Sequence, residues 1–137
     1  MSMHEVAMKF FDACETGKGW DLCKQWCHPD ATFSCQADAL ADVNTLGTYT
    51  DWMAEALGAL PDGHYELKSF AVDTDRSNVS AYAVFHGTNT GEGGSVPPTG
   101  NRIAVDFVYV MDFENGKICH MTKIWNDVQE LKQLGWT

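Results

Sequence analysis

The chain has little positive charge: 9 Lys and Arg stand against 19 Asp and Glu, for a net charge of −10 over 137 residues. Nucleic acid and anionic membrane both bind basic surface, so neither is expected as a partner. No apolar run is long enough to cross a bilayer. Met1-Ser2-Met3-His4-Glu5 lacks the basic start and apolar core of a secretory leader. The 5 cysteines are an odd number, which suits reduced thiols in a cytoplasmic protein better than a disulfide framework. Cys23-x-x-x-Cys27-His28 has no second pair of ligands beside it, whereas structural zinc takes four. No metal is expected. Thr90-Gly91-Glu92-Gly93-Gly94-Ser95 has no Gly-Lys-Ser/Thr ending, so it is no phosphate cradle and reads as a mobile lid or an interface loop. Internal repeats, low-complexity tracts and any placeable Ser-His-Asp or Cys-His nucleophile are also missing.

What is present suits one globular domain over residues 1–137. Hydrophobic residues make up 45% of the chain, enough for a core at this length. Ser2 and Glu5 form a capping box, and Val6, Phe10, Ala13 and Cys14 recur at helical spacing to about Glu15. A second helix is expected from about Trp20 to Cys27, ended by His28-Pro29-Asp30. Ala31–Ser34 is a short strand candidate. Gln36–Leu46 reads as irregular. Thr48 with Asp51 can cap a third helix to about Leu60.

Beyond Pro61-Asp62-Gly63 the pattern turns to strands: His64–Val72, Val79–Thr88, Ile103–Phe113 and Lys117–Trp125. Thr90–Asn101 is a loop. A short helix opens at Asn126-Asp127 and ends at Gly135. Helices followed by antiparallel strands make an α+β layout. A curved sheet of four main strands, closed on its concave side by three helices, leaves an apolar cavity for one small ligand.

Asn115-Gly116 predicts a two-residue turn with positive φ at both positions. Strict pairing outward from it sets Phe113 against Ile118, Met111 against His120 and Tyr109 against Thr122. Val105, Phe107, Tyr109, Met111, Phe113, Ile118, His120, Thr122 and Ile124 then share one face. His120 and Tyr109 become diagonal neighbours roughly 7–8 Å apart on that face.

His120 is thus a candidate general acid or base inside the cavity, or a core histidine satisfied by a neighbour. Tyr109 is a candidate donor to a carbonyl or enolate oxygen, or a core tyrosine. Phe10, Trp20, Phe33, Tyr49, Trp52, Phe107, Met111 and Thr122 are candidate wall residues. Asp106 faces outward on this pairing. His86 faces outward because Val79, Ala81, Ala83 and Phe85 make the apolar face of its strand, or it is a second histidine that divides acid and base work with the first. Cys14, Cys35 and Cys119 read as small apolar fillers.

Several stretches carry a resemblance. Gly87-Thr88-Asn89-Thr90-Gly91-Glu92, Pro97-Pro98-Thr99-Gly100-Asn101-Arg102, Phe113-Glu114-Asn115-Gly116-Lys117-Ile118 and Leu131-Lys132-Gln133-Leu134-Gly135 resemble the SnoaL-like polyketide cyclases, of the nuclear transport factor two-like superfamily. His28-Pro29-Asp30-Ala31 and Tyr49-Thr50-Asp51-Trp52 fit the same scheme. The resemblance implies a cone-shaped α+β barrel of a curved, mainly antiparallel sheet with three N-terminal helices. It also implies a homodimer through the outer sheet face, and here Val108, Val110, Met121 and Trp125 are expected on that face.

Characterised cyclases of this kind close rings by intramolecular aldol condensation, without a metal or organic cofactor, using an acidic residue of the last strand. Members often carry that acid and then His-Trp after Gly-Lys-Ile. Here those positions read His120, Met121 and Thr122, and Asn89 stands where the family has a second histidine. Scytalone dehydratase, a superfamily relative, relies on histidine and tyrosine-bound water. The expectation is therefore a cofactor-free acid/base enzyme, with cyclase, isomerase or dehydratase chemistry on a small apolar or aromatic carbonyl compound. The alternative is a non-catalytic ligand-binding or assembly module.

Overall fold

The computed structural model describes residues 1–137. Four α-helices surround a curved, open five-stranded sheet. The helices are α1 (Met3–Glu15), α2 (Trp20–Cys23), α3 (Leu46–Ala59) and α4 (Asp127–Leu134). The strands are β1 (Cys27–Cys35), β2 (His64–Asp73), β3 (Asn78–Thr88), β4 (Arg102–Glu114) and β5 (Lys117–Trp125). Their order is β1-β5-β4-β3-β2, antiparallel except for the parallel β1–β5 pair. No helix is long and apolar enough to cross a membrane.

The expected α1 capping box is present, with Ser2 Oγ accepting from the Glu5 amide and the Glu5 carboxylate receiving the Ser2 amide. Its buried stripe runs Ala7, Phe11, Cys14 and Glu15, the i, i+4, i+7, i+8 spacing of one helix face. The second helix is shorter than expected. It gives way to a 3₁₀ turn at Lys24–Trp26, and the chain is already extended at Cys27. Helix α3 begins earlier than the Thr48 cap implies: Thr45 accepts from the Thr48 amide instead. Helix α4 starts from the expected Asn126 cap and stops at left-handed Gly135.

The turn at Asn115-Gly116 is as expected, with φ of 52° and 80°. The register two residues later is not. Phe113 pairs with Ile118, but Asp112 pairs with His120, leaving Cys119 as an extra residue in β5. A bulge of this kind shifts the pairing by one, and a one-residue shift moves every later side chain to the other face. Met121, Lys123 and Trp125 therefore point into the cone beside Met111, Tyr109 and Phe107. His120, Thr122 and Ile124 point outward, and Ile124 is 59% exposed. Parallel pairing of β1 fixes the same frame: Thr32 lies beside His120, Phe33 beside Met121 and Ser34 beside Thr122. The outer face consequently loses Met121 and Trp125 from its expected apolar patch and keeps Val108 and Val110 with Ile124.

Past the end of β5, the free edge of β4 is covered by α4. Gln133 donates to the Ala104 carbonyl at 3.1 Å and accepts from its amide at 2.7 Å, which satisfies backbone groups that a sheet edge would leave unpaired. The loop after β3 is drawn in by buried Asn89. Its amide oxygen accepts from the Thr99 amide and the Trp136 indole, and its amide nitrogen donates to the Ala59 carbonyl. Gly94 lies so close to Trp136 that a Cβ there would sit 2.3 Å from the ring. Asn89→Ala leaves an indole, an amide and a carbonyl without partners. It should lower unfolding stability by about 2–3 kcal/mol, measured by urea titration; an unchanged midpoint would contradict the role of Asn89 as the anchor of this loop.

Candidate active site

The interior holds a hydrogen-bonded chain of polar groups. Glu15 closes the buried stripe of α1 and is 2% exposed. The Tyr109 hydroxyl, from β4, donates to Glu15 Oε2. Tyr49, from α3, is bonded to the Tyr109 hydroxyl. Because Tyr109 has only one proton to give, Tyr49 is the donor of that second bond. Tyr49 is held in place by Phe33, whose ring stacks on it at 4.4 Å, and by edge-on contact with Tyr109.

Lys123 stands next to Tyr109 in the sheet register and is 6% exposed. Its Nζ lies 4.0 Å from the Trp125 ring centroid, 5.2 Å from Tyr49, 5.3 Å from Trp52 and 5.8 Å from Phe107. Aromatic faces attract an ammonium at such distances. The ion pairs of the chain are Asp21–Lys24, Glu66–Lys68, Asp73–Arg76 and Glu66–His86, so Lys123 has none. It makes no hydrogen bond either. No fully enclosed side-chain nitrogen or oxygen lacks a partner, so the unpartnered Nζ keeps contact with open space.

That space is a cavity of about 30 Å³ walled by Glu15, Trp52, Phe107, Lys123, Trp125 and Glu130. A second pocket of about 210 Å³, bounded by Gly93 and Trp136, shares Trp52, Ala56, Leu60 and Glu130 with it. The inner cavity has room for one water or one small functional group. A larger depression of about 660 Å³ lies over the ends of β1 and β5. Lys123 and Trp125 line this depression as well, with Asp38 and Asp127. Asp127 is already occupied by the Ala39 amide at 2.9 Å, and Glu15 with its two phenols lies on the inner cavity alone.

Burial pushes the Glu15 carboxyl up to about 7, against the opposing pull of Lys123 and the hydrogen bond from Tyr109. Burial likewise lowers the Lys123 ammonium, with Glu15 and Glu130 pulling the other way. Burial raises Glu130 too. Tyr109 and Tyr49 are held well above the usual phenol range, by burial first and then by the Glu15 charge. Both phenols therefore stay protonated donors. The arrangement can store a proton on Glu15 near neutral pH and present an amine to an electron-rich atom in the same cavity.

The residues expected from the sequence divide. Trp52 and Phe107 line the cavity, and Tyr49 and Tyr109 hold Glu15. Phe10, Phe33 and Met111 are packed into the core. Trp20 lies at a separate depression with Pro29 and Asp51. Thr122 is on the outer face, bonded to Ser34 at 3.3 Å.

His120 is corrected outright: the bulge turns it away from Tyr109. Its ring sits between Thr32 Oγ1 at 2.7 Å, Ser34 Oγ at 3.1 Å and Thr122 Oγ1 at 3.2 Å. His86 and Asp106 face outward as expected, bonded to Glu66 and Tyr82. Sequence reasoning missed Glu15, Lys123, Trp125 and Glu130. Two signals were available. Glu15 falls i+4 and i+8 from Phe11 and Ala7. The spacing of Ile118 to Met121 to Trp125 fits a strand face only with one extra residue after Ile118.

Solved structures share this fold. AclR from Streptomyces galilaeus, described as a candidate hydroxylase, aligns over 98% of this chain and 82% of its own at 23% identity, with a TM-score of 0.77. A candidate SnoaL-like polyketide cyclase from Jannaschia sp. CCS1 aligns over 97% and 91% at 18% identity, TM-score 0.79. IdmH from Streptomyces antibioticus, described as a candidate polyketide cyclase, aligns over 98% and 99% at 20% identity, TM-score 0.76. No curated protein matches the chain. The family model for the SnoaL-like polyketide cyclases covers residues 5–134, and with nearly its whole length matched the chain belongs to that family.

Proposed function

We propose that this family member is a cofactor-free acid/base enzyme of the cyclase type, acting on a small apolar carbonyl compound at the inner end of the cone. One observation carries the reading: a buried carboxyl and a buried amine face the same cavity with no ion pair between them. Each is costly to keep in an apolar interior, and such groups in a cleft mark candidate chemistry. Glu15 takes the proton next to the carbonyl and returns it to the product. Lys123 is the electrophilic partner of the carbonyl oxygen as charge develops there. Tyr109, whose hydroxyl is committed to Glu15, positions the carboxylate rather than touching substrate. The acid/base group thus comes from the first helix, while the inward position of the last strand nearest the family's acid holds Met121.

The small inner volume supports a second reading, a non-catalytic module whose cone is filled by its own side chains. The two differ in one assay. With Glu15 as base, the protein should exchange α-protons of small ketones for deuterium. Glu15→Gln should cut that rate roughly 10²–10⁴-fold while the fold persists; equal exchange in both proteins would remove Glu15 from the reaction.

The exchange rate should rise with pH through about 7, where the Glu15 carboxyl ionises. Tyr109→Phe removes a bond that favours the ionised form, so its inflection should move to higher pH. An unmoved inflection would contradict that positioning role.

Stability gives an independent check. A carboxyl with a raised folded-state value supports folding while protonated in both states. That support fades as pH climbs from the ordinary value of 4.5 to about 7. Glu15→Gln is free of this loss. Its melting temperature should gain on the parent across that window, by on the order of 10 °C, and level off above it. A constant difference from pH 4 to 8 would place Glu15 in an ordinary solvated setting.

A further inference from the structure

Lys123 is the only buried lysine of the chain. Burial without an ion pair or hydrogen bond favours its uncharged form, while the ring faces around it stand ready to hold a cation formed there. Four aromatic rings stand around it, no carboxylate lies within ion-pair distance, and the cavity at its tip is the size of one carbonyl group. Where only a fixed cation is needed, arginine serves without losing charge; a desolvated lysine is the residue that becomes a nucleophile. Resting on the acid/base reading above, we infer that Lys123 Nζ forms a Schiff base with an aldehyde or ketone carbon of the ligand.

The step balances with groups on the cavity wall. The neutral amine attacks the carbonyl carbon, forming the C–N bond and moving the π electrons to oxygen. The oxygen leaves as water, carrying one proton from the nitrogen and one from the protonated Glu15 carboxyl. The products are a protonated imine on Lys123, one water and the Glu15 carboxylate. The iminium keeps its positive charge inside the aromatic box. Glu15 then removes an α-proton to give the neutral enamine, a carbon nucleophile able to close a ring onto a second carbonyl of the same molecule. Water hydrolyses the resulting imine and frees the amine. The substrate class that follows is a dicarbonyl compound with at least one unhindered aldehyde or ketone.

Two enolisable probes, butanal and acetophenone, test this with the intact protein at pH 7 in the presence of cyanoborohydride, which reduces an imine to a stable secondary amine. Peptide mass mapping should place the adduct on Lys123. Its labelling should be faster than at the six other lysines, since lowering an amine's pKa raises its neutral, nucleophilic fraction. Lys123→Met should lose that adduct. Lys123→Arg, which keeps a cation among the rings, should lose both the adduct and the catalysed α-proton exchange.

Labelling confined to the exposed lysines or the N-terminal amine, with Lys123 unmodified, would overturn the inference. If the probes exchange α-protons without an adduct, or Lys123→Arg keeps full exchange, the covalent step fails while the acid/base reading stands. If neither exchange nor adduct is seen with the folded protein, both fail together.

Discussion

One unpaired residue in the last strand decides what the cone contains. Cys119 adds a position to β5 immediately after the tight turn at Asn115-Gly116, and the pleat makes its effect all or none. With the extra residue, Met121, Lys123 and Trp125 meet Tyr109 and Phe107 in the interior. Without it, histidine and threonine would take those places. The parallel pairing of β1 holds the bulged frame from the other side. The hydroxyls of Thr32 and Ser34 give the outward His120 ring its partners. Two strands therefore agree on a register that the turn alone does not specify.

The cost of that register is an amine and a carboxyl in the core. The structure meets it unevenly. Glu15 receives a phenol, itself supported by a second phenol. Lys123 receives only ring faces. A fold selected for stability alone would do better with apolar side chains of similar volume. Keeping both groups, unpaired, at the two walls of one cavity is what separates a site from a packed core. The aromatic residues serve two ends here: they surround the amine with ring faces, and Trp52 walls both the inner cavity and the neighbouring pocket.

Much of the fold could be read from the residues. The helix and strand pattern, the α1 capping box, the hairpin turn and the final helix with its Asn126 cap and Gly135 stop follow from local chemistry. The family could be read from the Pro97–Arg102 and Phe113–Ile118 stretches. The site could not, because its main determinant is a bulge, and strict alternation outward from a correct turn gives the wrong face for every residue after Ile118. Glu15 escaped for a different reason. A glutamate at the last position of a helix is ordinarily solvated, and only the tertiary placement of Tyr109 opposite it shows otherwise. Asn89 takes a structural role that its local sequence does not reveal: it gathers the loop after β3 onto Trp136.

The inward seat of Lys123 is best tested by a nuclear Overhauser spectrum of the protein in solution. The Lys123 ε-methylene protons should show cross-peaks to the indole rings of Trp52 and Trp125 and a strong upfield ring-current shift, while the His120 ring protons should contact the Thr32 and Thr122 methyls. Unshifted Lys123 signals without aromatic cross-peaks, together with His120 contacts to Tyr109, would show the strictly alternating strand instead and leave the cavity without its amine.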